Sequence, residues 1–225
     1  MSPPSKPRAK KAGDDVALKQ AVLKAALGDV ASDGFTAKLL ERAGDAAGVR
    51  GDALARLFPD GPLSLVEAFS EACDAEMEKR LAKLKLPTMK IRERIAAAVM
   101  ARLGALAPHK QAARRAAAFL TLPPHAGLGA KLLYRTVDRM WRAAGDNSTD
   151  FNFYTKRAIL AGVYSATLMR WFTDDSEDES VTREFLDRRI ENVMQFEKLK
   201  ARMKEQAKGL PSLGDVLSAL SRRSA

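Results

Sequence analysis

The chain has 225 residues, with 38 Lys plus Arg against 28 Asp plus Glu and a formal charge of +10. Apolar residues make up 46% of it, enough for a real core, so wholesale disorder is excluded. Aromatics are only 6% beside abundant Ala and Leu, which favours helices over sheets. A single cysteine, Cys73, excludes a disulfide framework and a multi-Cys zinc site. With only His109 and His125 available, a metal centre would need carboxylates alone.

Residues 1–15 are rich in Pro, Lys and Ser and are expected to form a disordered tail, either solubilising or binding an acidic surface. From Val16 the pattern turns helical: Leu18, Val22, Ala25, Ala26 and Val30 share one face, and Gly34 marks the end. Thr36 to Gly44 predicts a short second helix, Gly48 a turn, and Gly51 to Phe58 a short third helix stopped by Pro59-Asp60-Gly61-Pro62. Longer helices are predicted over about 64–86, 88–107, 109–122, 126–144, 148–172 and 181–208. Residues 174–180, DDSEDES, form an acidic connection, and the last of these helices becomes almost wholly charged toward its end. No run of about 18 uncharged apolar residues occurs, so no segment of this sequence is expected to span a membrane. No strand candidate emerges; the expected class is all-α.

The layout helix, short helix, Gly-containing turn, short helix is that of a helix-turn-helix. Residues 22–69, from VLKAAL to VEAF, resemble the N-terminal domain of TetR-type regulators, with Ala47-Gly48-Val49 as the turn. The charge there argues against DNA. Lys19, Lys24, Lys38, Arg42, Arg50 and Arg56 are outnumbered by Asp29, Asp33, Glu41, Asp45, Asp52, Asp60 and Glu67. A duplex-binding face should be the basic part of a molecule. Leu57-Phe58-Pro59-Asp60-Gly61 also stands where that family keeps a Tyr and a Lys. The chain is therefore expected to be a degenerate helix-turn-helix unit (16–62) followed by a helical ligand-binding domain (63–208).

The segment from Gly145 to Arg157, GDNSTDFNFYTKR, begins as a helix N-terminus, with Asn147 or Ser148 as cap and Asp146 and Asp150 at the positive end of the dipole. No charge follows from Ala158 to Met169, which predicts a helix buried on all sides, with Gly162, Ser165 and Ala166 allowing close packing or leaving room for a ligand. Phe153, Tyr154, Lys156 and Arg157 crowd its entrance, either as cap and core or as a partner-docking patch.

GD-x-STDFN-x-YTKR, with Leu160, Val163-Tyr164 and Thr167 after it, resembles the signature of the ubiquinone-biosynthesis accessory lipid-binding proteins. LFP-x-GP at 57–62, AFS at 68–70, IRERI at 91–95, LAPH at 106–109 and FLDRRI at 185–190 extend the resemblance from about Leu18 to Glu197. It implies a TetR-like, usually dimeric, non-enzymatic protein that binds isoprenoid quinone intermediates or another lipid and presents them to the demethoxyubiquinone hydroxylase. By that resemblance the partner-facing patch is Asp150, Asn152, Phe153, Tyr154, Lys156 and Arg157, with Phe153 where the family often has Trp. Leu103, Phe119, Leu133, Val137, Trp141, Leu160 and Tyr164 sit at helical spacing as ordinary core, or as the wall of an apolar lipid cavity. No separate cofactor is implied.

At the C-terminus (209–225), Leu213, Val216, Leu217 and Leu220 form an apolar stripe followed by Arg222 and Arg223. A helix this short needs a cover, which is either the protein body or an anionic membrane surface. The alternative function is a ligand-responsive DNA-binding regulator; a helical adaptor without ligand is a third. The acid-containing N-terminus, with Asp14 and Asp15, leads to the expectation of a bacterial cytoplasmic protein, peripheral on the inner membrane.

Overall fold

In a computed structural model of the chain, residues 7–146 and 151–208 are described. The elements there are helices: α1 (Pro7–Leu27), α2 (Val30–Asp33), α3 (Ala37–Ala46), α4 (Gly51–Leu57), α5 (Pro62–Leu81), α6 (Ile91–Leu106), α7 (Lys110–Thr121), α8 (Ala126–Ala143), α9 (Phe151–Phe172) and α10 (Ser180–Lys208). Among the described residues no helix is long and apolar enough to cross a membrane. The C-terminal stripe from Leu213 to Leu220, with Arg222 and Arg223, lies outside the described residues.

The N-terminal unit packs as its spacing predicts. The Thr36 hydroxyl accepts from Leu39 N at 3.2 Å and starts α3. Gly48, at φ +70°, supplies the left-handed residue of the turn. Gly44 lets the two short helices touch, because a Cβ there would lie 2.6 Å from Val49 O and 2.8 Å from the Leu54 side chain. Val22, Val30, Leu39, Leu57 and Leu65 close this unit onto α5. Pro62 occupies the first turn of α5, where its missing N–H costs nothing.

Three expectations change. The helix α1 starts at Pro7 rather than Val16, so residues 7–15 of the predicted disordered tail are helical. Ala, Lys and Arg are good helix formers, and Asp15 is tied to Arg56 at 2.6 Å. A break at Gly28-Asp29 separates α1 from α2, where one continuous helix was predicted. The helix α9 is not enclosed on all sides: Leu160, Val163, Tyr164 and Trp171 are buried, whereas Ala158, Gly162 and Met169 face solvent.

In the rest of the fold α5 packs against α6 and α8, and α9 against α8 and α10. Arg94, in the IRERI stretch, donates to Met89 O (2.9 Å), Pro87 O (3.0 Å) and Ala144 O (3.0 Å), which fastens the α5–α6 connection to the end of α8. His109 and His125 close the 3-10 turns before α7 and α8, as their proline-flanked positions predict. The His125 ring stacks on Phe119 at 4.1 Å.

Candidate functional site

A cavity of about 430 Å³ opens between α7, α8 and α9, with α5 and α6 as its floor. Composition explains the space. The inner face of α7 carries Ala113, Ala116 and Ala117 before Leu120, and α8 presents Gly129 and Ala130 opposite, so two helix faces that would ordinarily fill a core are nearly bare. Val66, Phe69, Leu132, Leu133 and Leu168 make the wall apolar, and exposed Thr121, Ala126 and Met169 lie at the mouth. Such size and lining suit the apolar part of a small amphiphile.

Of the seven residues expected to form a lipid cavity, Leu133 and Tyr164 line this one. Trp141 and Leu160 line a separate pocket of about 100 Å³ between α6, α9 and α10, together with Ile91, Ile190 and Val193. Leu103 and Val137 are fully buried in the core and Phe119 packs on Phe35 and His125; none of the three lines either pocket. Of the three small residues of α9, Ser165 lines the large cavity, and Gly162 and Ala166 do not.

The floor of the cavity is polar, which the spacing of apolar residues did not indicate. Arg102, 4% exposed, lines it with Ser70, Thr136 and Tyr164. Its Nη2 donates to Ser70 Oγ at 3.2 Å, and its Nε lies 3.4 Å from Asp74 Oδ1, within ion-pair reach but without hydrogen-bond alignment. The Thr136 hydroxyl donates to Asp74 Oδ1 at 2.9 Å, and Arg135 Nε stands 3.7 Å from Oδ2. Asp74 has no exposure at all. Burial pushes the Tyr164 phenol up against the pull of the neighbouring Arg102 guanidinium, so it stays a neutral hydroxyl. The Cys73 thiol is likewise pushed up by burial, which suits an inert core residue.

The second constellation surrounds the start of α9. Arg157, 2% exposed, donates from Nε to Asp138 at 2.7 Å and from Nη1 to Asp146 at 3.2 Å and to Phe153 O at 3.1 Å. Its guanidinium lies 3.3 Å from the Phe153 ring centroid. Lys156 pairs with Asp146 at 2.7 Å and sits over the Trp141 indole, whose Nε1 donates to Lys156 O at 3.1 Å. Tyr154 packs edge-on against Phe153 yet is 65% exposed. The cap-and-core alternative thus describes Arg157 and Lys156, while Tyr154 and the edge of Phe153 remain as a surface. Asp150 and the side chain of Asn152 lie outside the described residues.

The N-terminal unit offers little to a nucleic acid. Arg42 is paired with Asp29 and Asp33, Arg50 with Asp45 and Arg56 with Asp15, so three of its six cations are held by carboxylates of the same chain. Among the described residues no three His, Cys, Asp or Glu side chains group as metal ligands would.

The class is now defined: a TetR-like all-α fold with an apolar cavity among helices α5 to α9. A TetR transcriptional regulator from Nitrosomonas europaea superposes with a TM-score of 0.61 over 77% of this chain and 96% of that one, at 22% identity, and supports the fold alone. In sequence the chain is similar to one family. Residues 126–197, which comprise α8, α9 and over half of α10, match the COQ9 family model. The mitochondrial ubiquinone biosynthesis protein COQ9 of Bos taurus is 35% identical over 207 residues, 89% of this chain and 62% of that protein. Its Homo sapiens counterpart is 33% identical over 89% and 63%, and that of Drosophila melanogaster 30% over 80% and 56%. The chain is COQ9-like, and it spans less than two thirds of these relatives' length.

These relatives overturn one expectation. They are named as mitochondrial proteins of eukaryotes, against the predicted bacterial cytoplasmic site on the inner membrane. The physical ground for that expectation also weakens: Asp14 and Asp15 belong to α1, and Asp15 pairs with Arg56, so its charge serves the folded unit.

Proposed function

We propose that the chain serves ubiquinone biosynthesis as a non-enzymatic lipid-binding protein. The observation that carries this reading is the 430 Å³ apolar cavity, lined by small residues of α7 and α8, in a COQ9-like chain. The cavity takes part of an isoprenoid quinone intermediate and shields it from water. Tyr154 and Phe153, held by the Arg157–Asp138–Asp146 cluster, form the surface that docks the demethoxyubiquinone hydroxylase. The bulk of binding energy is hydrophobic, at roughly 25 cal/mol per Å² of apolar surface buried. Delivery from a membrane surface, with the segment from Leu213 to Arg223 as the contact, and function as a homodimer complete the proposal.

The test is binding of purified hydroxylase to the wild-type chain and to Tyr154→Asp, read by surface-immobilised binding. Because Tyr154 is exposed, the variant keeps its thermal stability and loses partner affinity by at least tenfold. Unchanged affinity removes this surface from the proposal.

A further inference from the structure

We infer that Arg102 is a head-group-binding residue, which holds a neutral acceptor oxygen, a ring carbonyl or hydroxyl, on the ligand of the large cavity. The inference rests on the lipid-binding reading above and deepens it, by assigning the end of the cavity at which the oxygen-bearing head resides.

Three observations carry it. First, Arg102 is both nearly inaccessible to solvent and part of the cavity lining, and its Nη1 has no hydrogen-bond partner in the chain, while its Nε has only the unaligned 3.4 Å approach to Asp74. Buried guanidinium donors left unpaired are costly, so a site that retains them is built to receive an acceptor. Second, the neighbouring lining residues are suited to a polar atom. Ser70 accepts from Arg102 and keeps a hydroxyl proton to donate, and Tyr164 contributes a neutral phenol against the same guanidinium. Of the other polar lining residues, Thr136 is spent on Asp74, Thr121 donates to Ala118 O at the exposed mouth, and Ser165 is a single hydroxyl; the rest is apolar, so Arg102 marks the strongest donor site for the polar end of an amphiphile.

Third, the charges balance. Arg102 faces Asp74; Arg135 reaches Asp74 on one side and Glu67 on the other at 3.5 Å, with Lys131 also on Glu67 at 3.0 Å near the surface. Lys131 is 64% exposed and screened by water; the two guanidiniums of Arg102 and Arg135 are matched by the two carboxylates of Asp74 and Glu67. An anionic head would bring a second negative charge beside a carboxylate that has no solvent exposure, a repulsion that water does not screen there. A neutral oxygen incurs no such cost and fills the open donors. The geometry therefore favours a carbonyl- or hydroxyl-bearing ring on an apolar chain over a fatty-acid carboxylate or a phosphate head.

The experiment compares three probes on the purified full chain by native mass spectrometry and equilibrium binding: a short-chain isoprenoid benzoquinone, an isoprenoid hydrocarbon of similar length without ring oxygens, and a fatty acid. The wild type should favour the quinone over the hydrocarbon by about ten- to a hundredfold, the range of a hydrogen bond to a charged donor. It should also favour the quinone over the fatty acid. Arg102→Met should bring the quinone down to the hydrocarbon's affinity while leaving the hydrocarbon unchanged, and Arg102→Lys should recover part of the preference. Equal binding of quinone and hydrocarbon by the wild type overturns the inference and leaves the lipid cavity standing; preference for the fatty acid overturns it in favour of an anion site. Binding of none of the three overturns both readings. If Arg102→Met fails to fold, Tyr164→Phe, which should lower the quinone preference severalfold, and the wild-type ratios still decide the matter.

Discussion

Replacing Arg157 by Met tests whether the start of α9 is held by its buried ion cluster. The guanidinium is 2% exposed and bridges Asp138 (2.7 Å) and Asp146 (3.2 Å), whose side chains are 17% and 5% exposed, and it also donates to Phe153 O. Methionine keeps much of the volume and removes the charge. Breaking a buried pair by removing one partner costs about 3–5 kcal/mol. Here Asp138 retains Arg142 at 2.7 Å and Asp146 retains Lys156 at 2.7 Å, so neither carboxylate is left alone and the lower end, about 3 kcal/mol, is expected. For a chain of this size that corresponds to a drop in Tm of roughly 6–12 °C. Arg157→Lys should recover less than half, since an ammonium cannot span two carboxylates and a carbonyl in the same fork. Urea unfolding followed by far-UV circular dichroism measures this. A loss below about 0.5 kcal/mol for Arg157→Met would refute the claim that the cluster sets the α9 entrance.

Ala117→Phe places a ring in the cavity and should cut lipid uptake from vesicles at least tenfold with the fold intact; fluorescent lipid displacement reads it, and undiminished uptake places the ligand elsewhere. Asp174, buried after α9, accepts from Ser176 and Thr182 through both side chain and backbone. Although burial opposes its ionisation, those hydrogen bonds lower its carboxyl below the ordinary range of about 3.9. A depressed folded-state value gives stability that is present above the unfolded value and is lost as pH falls through the folded one. Asp174→Ala should therefore cost about 2 kcal/mol at pH 7 and show a shallower loss of stability than wild type below pH 4, by denaturant titration at several pH values. Gly44→Val should unfold the N-terminal unit first, because its side chain would collide with Val49 O and Leu54; amide exchange localised to α3 and α4 reports it.

The helix-turn-helix layout and the long helices were legible because they depend on local signals: Thr36 as a cap, Gly48 as a turn residue, and prolines at the breaks. The motif at the start of α9 was legible as a cluster, since Phe153, Tyr154, Lys156 and Arg157 are near neighbours in the chain. The cavity was not, because it depends on which helix faces meet. Leu103 and Val137 have the spacing of a pocket wall but face the solid core, and the true wall is marked by small residues of α7, which carry no positive pattern. Arg102 did leave a signal: it is the only charge between Ile95 and Leu106, on a stretch otherwise apolar or small. A lone Arg there must find a buried partner, and Asp74, four residues after Ser70 on α5, is that partner.

The central claim, that the cavity holds a lipid, is tested most directly by native mass spectrometry of the purified chain followed by organic extraction. The expected result is isoprenoid quinone or another neutral lipid at a fixed stoichiometry, lost in Ala117→Phe. A protein that purifies free of lipid and takes none from liposomes contradicts the claim.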